Sequence, residues 1–316
     1  MDFKECTKQL GKDHLVQRLY VHWDITTFCQ YKCSYCYARK EYENKWMQPG
    51  NWEKQQRVIE ELSKSTLPIF LGLLGGEPTM HPRYWQLLEK LITDFLPKHD
   101  MNRLYITTNA ARDLEFFEKH IYDSKIRFLW SYHAEYADSK DFLEKVKAIA
   151  KKGFKNRVNI MLHPNKKYWK DLKWIFIELK KLQNIGFDIE LHPHFIYTDV
   201  HNTIKYSNEF YKFFDFIQKE TPKEFEFYVN GKQYDFSDIE VFENKYNRFK
   251  YWKCWNNNYE INLDCKVNQF CFEEKHEIPK DFFKNITTII PVICKHDYCS
   301  CDGLLKIKKE KVCANM

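Results

Sequence analysis

The stretch WDITTFCQYKCSYCYARK, Trp23–Lys40, carries Cys29, Cys33 and Cys36 in the spacing C-x3-C-x2-C. Three thiolates on one short loop can each hold an iron of a [4Fe–4S] cube and leave the fourth iron open to another ligand. A structural zinc site would want four protein ligands and a second Cys or His pair at matching spacing, and none follows nearby. Three buried structural cysteines are the remaining alternative. Gln30, Lys32 and Ser34 on the same loop argue against it, because buried thiols rarely share a loop with so many polar side chains.

Working outward, the loop follows an apolar run at Leu19–Asp24, whose Asp24 reads as a local hydrogen-bond acceptor for the loop. Further runs at Ile69–Leu74, Leu104–Thr108, Ile126–Tyr132, Arg157–Leu162 and Ile189–Pro193 read as buried strands. Between them lie helical periodicities, such as Trp85-x-x-Leu88-x-x-Leu91-Ile92-x-x-Phe95 and Leu143-x-x-Val146-x-x-Ile149. Strands alternating with helices predict βα units and a parallel sheet. Gly75-Gly76-Glu77-Pro78-Thr79 follows the second strand directly, in a chain with only 9 glycines. Two glycines let backbone approach a ligand closely, and the Glu77 carboxylate can accept from an ammonium.

With these residues the chain resembles the radical S-adenosylmethionine (SAM) enzymes, whose cluster loop is C-x3-C-x-(aromatic)-C; Tyr35 fills the aromatic slot. The resemblance implies an α/β partial (β/α)6 TIM-type barrel over residues 17–222, after an N-terminal extension of residues 1–16. It implies a [4Fe–4S] cluster on Cys29, Cys33 and Cys36, with SAM on the open iron, cleaved by one electron to a 5′-deoxyadenosyl radical. Tyr35 is then expected near the adenine, and Gly75, Gly76 and Glu77 at the SAM amino group. In such barrels the site lies at the C-terminal strand ends. Asn109, Ser131, His133, Glu135 and Asn159 are carried over there as SAM contacts. Asn109 also reads as a helix N-cap, and His133 as a hydrogen-bonded core histidine. His192 and His194 share one strand face, for substrate contact or for structure.

Beyond about Phe225 the chain turns aromatic and cysteine-rich, with Cys254, Cys265, Cys271, Cys294, Cys299, Cys301 and Cys313. KCWNNNYEINLDCKVNQFCF reads as a cysteine, a strand, a turn at Asp264–Lys266 and a return strand ending in a cysteine. Thiolates at this density select Fe–S or zinc. Residues 223–316 resemble the SPASM and twitch auxiliary-cluster domains, as a small Cys-rich α+β extension. The family's glycine is Lys266 here, and its C-x2-C-x5-C-x3-C tail is absent. A single second [4Fe–4S] cluster is therefore expected, on Cys254, Cys271, Cys294 and Cys299, with Cys301 able to replace one of them; zinc is the rival. Cys265 reads as a turn residue, and Cys6 and Cys313 as bystanders.

Composition bounds the rest. The 316 residues include 17% aromatics and carry a net charge of +6, with lysine scattered rather than clustered. That disfavours a nucleic-acid stripe and leans weakly toward an anionic substrate. Eleven cysteines, without a signal-peptide pattern or an apolar span, point to metal in a reducing cytoplasm and away from membranes. The expected partners are a peptide or small-molecule substrate and a reductant such as flavodoxin or ferredoxin. The expected net reaction is hydrogen abstraction leading to oxidation or modification. The alternative is a radical SAM enzyme acting on RNA or a nucleotide, with structural zinc at its C-terminal cysteines. A non-catalytic zinc-binding interaction protein is a third reading.

Overall fold

The computed structural model describes residues 3–11, 17–36, 38–39, 47–119, 123–199, 202–203, 205–220, 223–271, 274–299 and 307–312. Seven strands up to Phe195 set the architecture: β1 (Cys6–Gly11), β2 (Leu19–Thr26), β3 (Ile69–Gly75), β4 (Arg103–Thr108), β5 (Ile126–Tyr132), β6 (Asn156–Leu162) and β7 (Ile189–Phe195). Strands β2 to β7 pair in parallel and in chain order. Parallel neighbours need crossover connections. Helices Trp52–Leu62, Tyr84–Lys90, Leu114–Glu118, Ser139–Lys151 and Trp169–Asn184 supply them, and Asn208–Glu220 follows β7. Asn51, Asp113 and Asp138 start three of these helices, each side chain accepting from a first-turn backbone N–H.

Alternation along the strands separates two faces. Val21, Trp23, Leu73, Ile106, Trp130 and Val158 point at the helices and are fully buried. Their inward-facing neighbours line a concave cavity of about 800 Å³. The sheet continues past β2, where Asn258–Ile261 pairs in parallel with it. Lys266–Gln269 and His276–Glu277 add antiparallel strands beyond. Among the described residues, β7 and His276–Glu277 are the two edges of this nine-stranded sheet, so the barrel is open.

A second, six-stranded sheet places β1 between Phe225–Val229 and Lys309–Glu310. Phe225, Phe227, Val241, Phe249 and Trp252 form its core together with Cys6. The segment read as an N-terminal extension therefore contributes a strand to this sheet. The hairpin of Asn258–Ile261 and Lys266–Gln269, from within residues 223–316, belongs to the barrel sheet. Its Tyr259, Ile261 and Val267 join the barrel core, which is why the edge of β2 is covered from so far along the chain.

Candidate active site

The C-terminal ends of β2 to β6 form one rim, and the cysteine loop lies on it. β3 ends by running against the start of that loop: Gly76 N donates to Thr26 O at 2.8 Å and Glu77 N to Phe28 O at 2.6 Å. Gly75 has φ +126, and a Cβ there would sit 2.0 Å from the Thr26 carbonyl oxygen. A Cβ on Gly76 would meet Phe28 O at 2.5 Å. The close backbone approach that needs two glycines is thus an approach to the chain's own Thr26–Phe28.

Glu77 is buried beneath this contact. Its carboxylate accepts from Asn109 N at 2.6 Å and from Thr79 Oγ1 at 2.5 Å. Burial raises its pKa, and those hydrogen bonds offset part of the rise. Asn109 links outward from there, its Oδ1 accepting from Gln30 Nε2 at 3.0 Å and its Nδ2 lying 3.6 Å from Cys29 Sγ. Glu77, Asn109, Gln30 and Cys29 are one connected network.

A second network holds the other side of the loop. Glu135 accepts from Ser34 N at 2.8 Å, from Ser34 Oγ at 2.5 Å and from His163 Nε2 at 3.0 Å. Asn165 N donates to His163 Nδ1 at 3.0 Å, so the ring proton sits on Nε2. Burial pushes the Glu135 pKa up, but the Ser34 and His163 hydrogen bonds outweigh it and hold the carboxyl below its ordinary value. Tyr35 stacks on His133 with ring centres 5.9 Å apart, and its Oη is 2.9 Å from His133 Nδ1. Desolvation lowers His133 to about 4, so the ring is neutral near pH 7. Tyr31 stacks on Tyr136 at 5.1 Å, and Tyr136 Oη donates to Lys32 O.

The clasp on Ser34 makes one stability prediction. Glu135→Gln should cost about 1–3 kcal/mol in metal-free protein near pH 7, the worth of charge-assisted hydrogen bonds. A carboxylate with a lowered folded pKa stabilises above its unfolded pKa and loses that contribution as pH falls through its folded value. The gap in melting temperature between wild type and E135Q should therefore narrow as pH falls below the ordinary glutamate range and close once pH passes below the lowered folded value. A gap independent of pH would refute this role for Glu135.

Burial, the largest cause, pushes the Cys29 thiol up to about 11 and Cys33 up to about 12, and the three loop thiols influence one another electrostatically. Metal binding requires the thiolate forms. Among the described residues, no group of three Cys, His, Asp or Glu side chains is arranged to hold a single ion. A cube that takes one thiolate per iron makes no such demand. Ser131 and Asn159 lie in register on β5 and β6, facing inward, with His192 beside Asn159 on β7. Asn159, His192 and His194 line the cavity, and Asn159 Oδ1 accepts from Arg157 Nε at 3.1 Å.

The C-terminal cysteines gather elsewhere. Cys254, Cys271 and Cys294 line one small pocket, and Cys299 packs in the same core. Cys254 and Cys294 are electrostatic neighbours. Cys271 has φ +76, and His296 Nε2 lies 3.0 Å from its carbonyl oxygen. Cys265 occupies the hairpin turn with φ +61, buried in the barrel core. Cys301 and Cys313 lie outside the described residues.

Reading the chain in one dimension missed Gln30, Ser34 and His163. Ser34 and Glu135 are 101 positions apart, so only the fold brings them together. A polar residue inside the cysteine loop was the available signal.

Residues 23–124 match the profile of the Radical SAM superfamily. The chain carries a radical SAM domain. Within 105 residues it is 32% identical to an S-adenosylmethionine-dependent nucleotide dehydratase of Fibrobacter sp. (strain UWH6). That similarity covers 30% of this chain and 28% of the relative, so it spans less than a third of that protein. Two solved structures share the fold. Streptococcus suis SuiB bound to S-adenosylmethionine aligns over 93% of this chain and 68% of its own, with a TM-score of 0.51 and 13% identity. Native anSMEcpe with bound AdoMet and Cp18Cys peptide aligns over 86% of this chain and 82% of its own, with a TM-score of 0.52 and 13% identity. At that identity the likeness concerns the radical SAM fold alone. No helix among the described residues is long and apolar enough to cross a membrane.

Proposed function

We propose that this radical SAM protein reductively cleaves SAM at the barrel rim and abstracts a hydrogen atom from a substrate in the cavity below. The observation that carries this reading is the braced cysteine loop. Asn109 reaches Cys29 on one side and Glu135 grips Ser34 on the other, and both follow the C-terminal ends of strands, β4 and β5, whose inward-facing residues line that cavity. Cys29, Cys33 and Cys36 would hold a [4Fe–4S] cluster, which with SAM would supply a 5′-deoxyadenosyl radical. The chain's own residues orient and enclose. Tyr35 and His133 present a stacked aromatic wall, Ser131 and Asn159 offer polar contacts just inside the mouth, and the buried sheet faces exclude water.

A small molecule suits a concave cavity of this size, which lies within the usual range for ligand pockets. The relative named as a nucleotide dehydratase supports a nucleotide-type substrate, and the peptide bound to anSMEcpe supports a peptide. A cytoplasmic flavodoxin or ferredoxin fits as electron donor. The test is anaerobic reconstitution with iron and sulfide, then dithionite and SAM. Formation of 5′-deoxyadenosine is expected; none above a cluster-free control would end the proposal.

Cys254, Cys271, Cys294 and Cys299 suit a second [4Fe–4S] cluster that would accept an electron from the substrate radical and so make the net reaction an oxidation, since soft donors gather there. A triple Cys29/Cys33/Cys36→Ala variant, reconstituted without oxygen, should retain about four irons per chain with matching sulfide. Zinc without iron would make this a structural knot and move redox-neutral chemistry to the front.

A further inference from the structure

We infer that the floor of the barrel cavity binds the phosphate groups of a small phosphorylated substrate, anchored by Arg18, Arg127 and Arg157. This rests on the reading above only in naming the ligand as that enzyme's substrate. Five cations line the cavity, Arg18, Arg127, Lys155, Arg157 and Lys180, against two carboxylates, Glu190 and Glu224. Lys155 largely answers Glu190, at 2.9 Å. The arginines stay in excess, in a concave space where low-dielectric walls concentrate their field.

The arginines are held in place by rings. The Arg18 guanidinium lies 4.2 Å from the centre of the Phe70 ring, and Arg127 lies 5.7 Å from that of Tyr105. Phe70 and Tyr105 themselves touch, with centres 5.6 Å apart. One aromatic platform therefore carries both guanidinium groups. A ring face steadies such a cation without neutralising it. Arg18 is 7% exposed. The Nε atoms of Arg18 and Arg127 are buried without a hydrogen-bond partner among the described residues, and so is Thr107 Oγ1 on the same lining. Unmet buried donors on cations are costly unless a ligand completes them. Planar guanidinium forks match phosphate oxygens in pairs.

The layering gives the ligand a direction. Tyr105 and Arg127 share one register row, and Leu129, Arg157 and Glu190 form the next row toward the mouth. Above them come Ser131, Asn159 and His192. Phosphates seated on the floor leave the remainder of the molecule pointing up, through Asn159 and His192, at the cysteine loop.

The full-length protein, purified and reconstituted without oxygen, would be titrated calorimetrically with sodium tripolyphosphate, with citrate as a non-phosphate polyanion. Saturable binding is expected, weakened roughly tenfold or more in Arg127→Gln and in Arg157→Gln and unchanged in Lys119→Gln, an exposed cation far from the cavity. Two floor variants guard against one that misfolds, and iron content reports which have folded. No saturable binding by wild type, equal weakening in K119Q, or citrate binding as tightly as tripolyphosphate would each overturn the inference. SAM cleavage is measured on the same samples. Wild type that cleaves SAM but ignores tripolyphosphate sinks the phosphate site alone. Wild type that binds tripolyphosphate through Arg127 but never cleaves SAM upholds the site and sinks the radical reading.

Discussion

Cys33→Ala should reduce 5′-deoxyadenosine formation to the level of cluster-free protein. Cys33 is nearly buried at 9% exposure, electrostatically coupled to Cys29 and Cys36 and hydrogen-bonded by Tyr35. With one thiolate gone, only two remain to hold a cube that must still present an open iron. The loss should exceed the roughly 10–100-fold that removing an outer partner of a metal ligand costs. Asn109→Ala removes such a partner, the amide 3.6 Å from Cys29 Sγ, and should fall within that smaller range. Rates of 5′-deoxyadenosine release, normalised to iron, separate the two. Cys33→Ala retaining more activity than Asn109→Ala would show that the loop does not carry the cluster.

Gly75→Ala should prevent the rim from forming. At φ +126 an L-residue is strained by about 1–3 kcal/mol whatever surrounds it. Here the new methyl group would also sit 2.0 Å from a backbone oxygen, a distance no repacking of side chains relieves. Either β3 or the Thr26–Phe28 segment must move, and both fix the cysteine loop. Gly153→Ala is the matched control, because it has φ +82 but nothing within 4 Å of its Cβ. It should lose only the conformational part and keep its iron. Melting temperature and iron per chain, measured on both, test this. Gly75→Ala that loads iron normally would mean the two strand ends are not locked together.

Much of the barrel was legible because its strands are simple. Runs such as Ile126–Tyr132 carry a large apolar residue at every other position, and the observed ends fall within two residues of those read from sequence. The cysteine loop and Gly75–Glu77 were legible as local motifs. What escaped depends on distant pairing. Nothing near Asn258 announces that it will lie parallel to Tyr20, and nothing near Cys6 announces Val229. The basic floor escaped for another reason. Arg127 and Arg157 stand at alternate positions of apolar strands, where a cation is easily taken for a strand end reaching solvent, and only the closing curve of the sheet turns both toward one space.

The covering of β2 has a consequence for how the protein is made. Its outer neighbour, Asn258–Ile261, leaves the ribosome more than two hundred residues later, and the partner of β1 at Lys309–Glu310 later still. Until then β2 offers a bare strand edge, a template for pairing with other chains. Such long sequence separations slow folding and lengthen the exposure. Shortened chains that end before residue 258 should be the aggregating ones, however complete their six barrel strands.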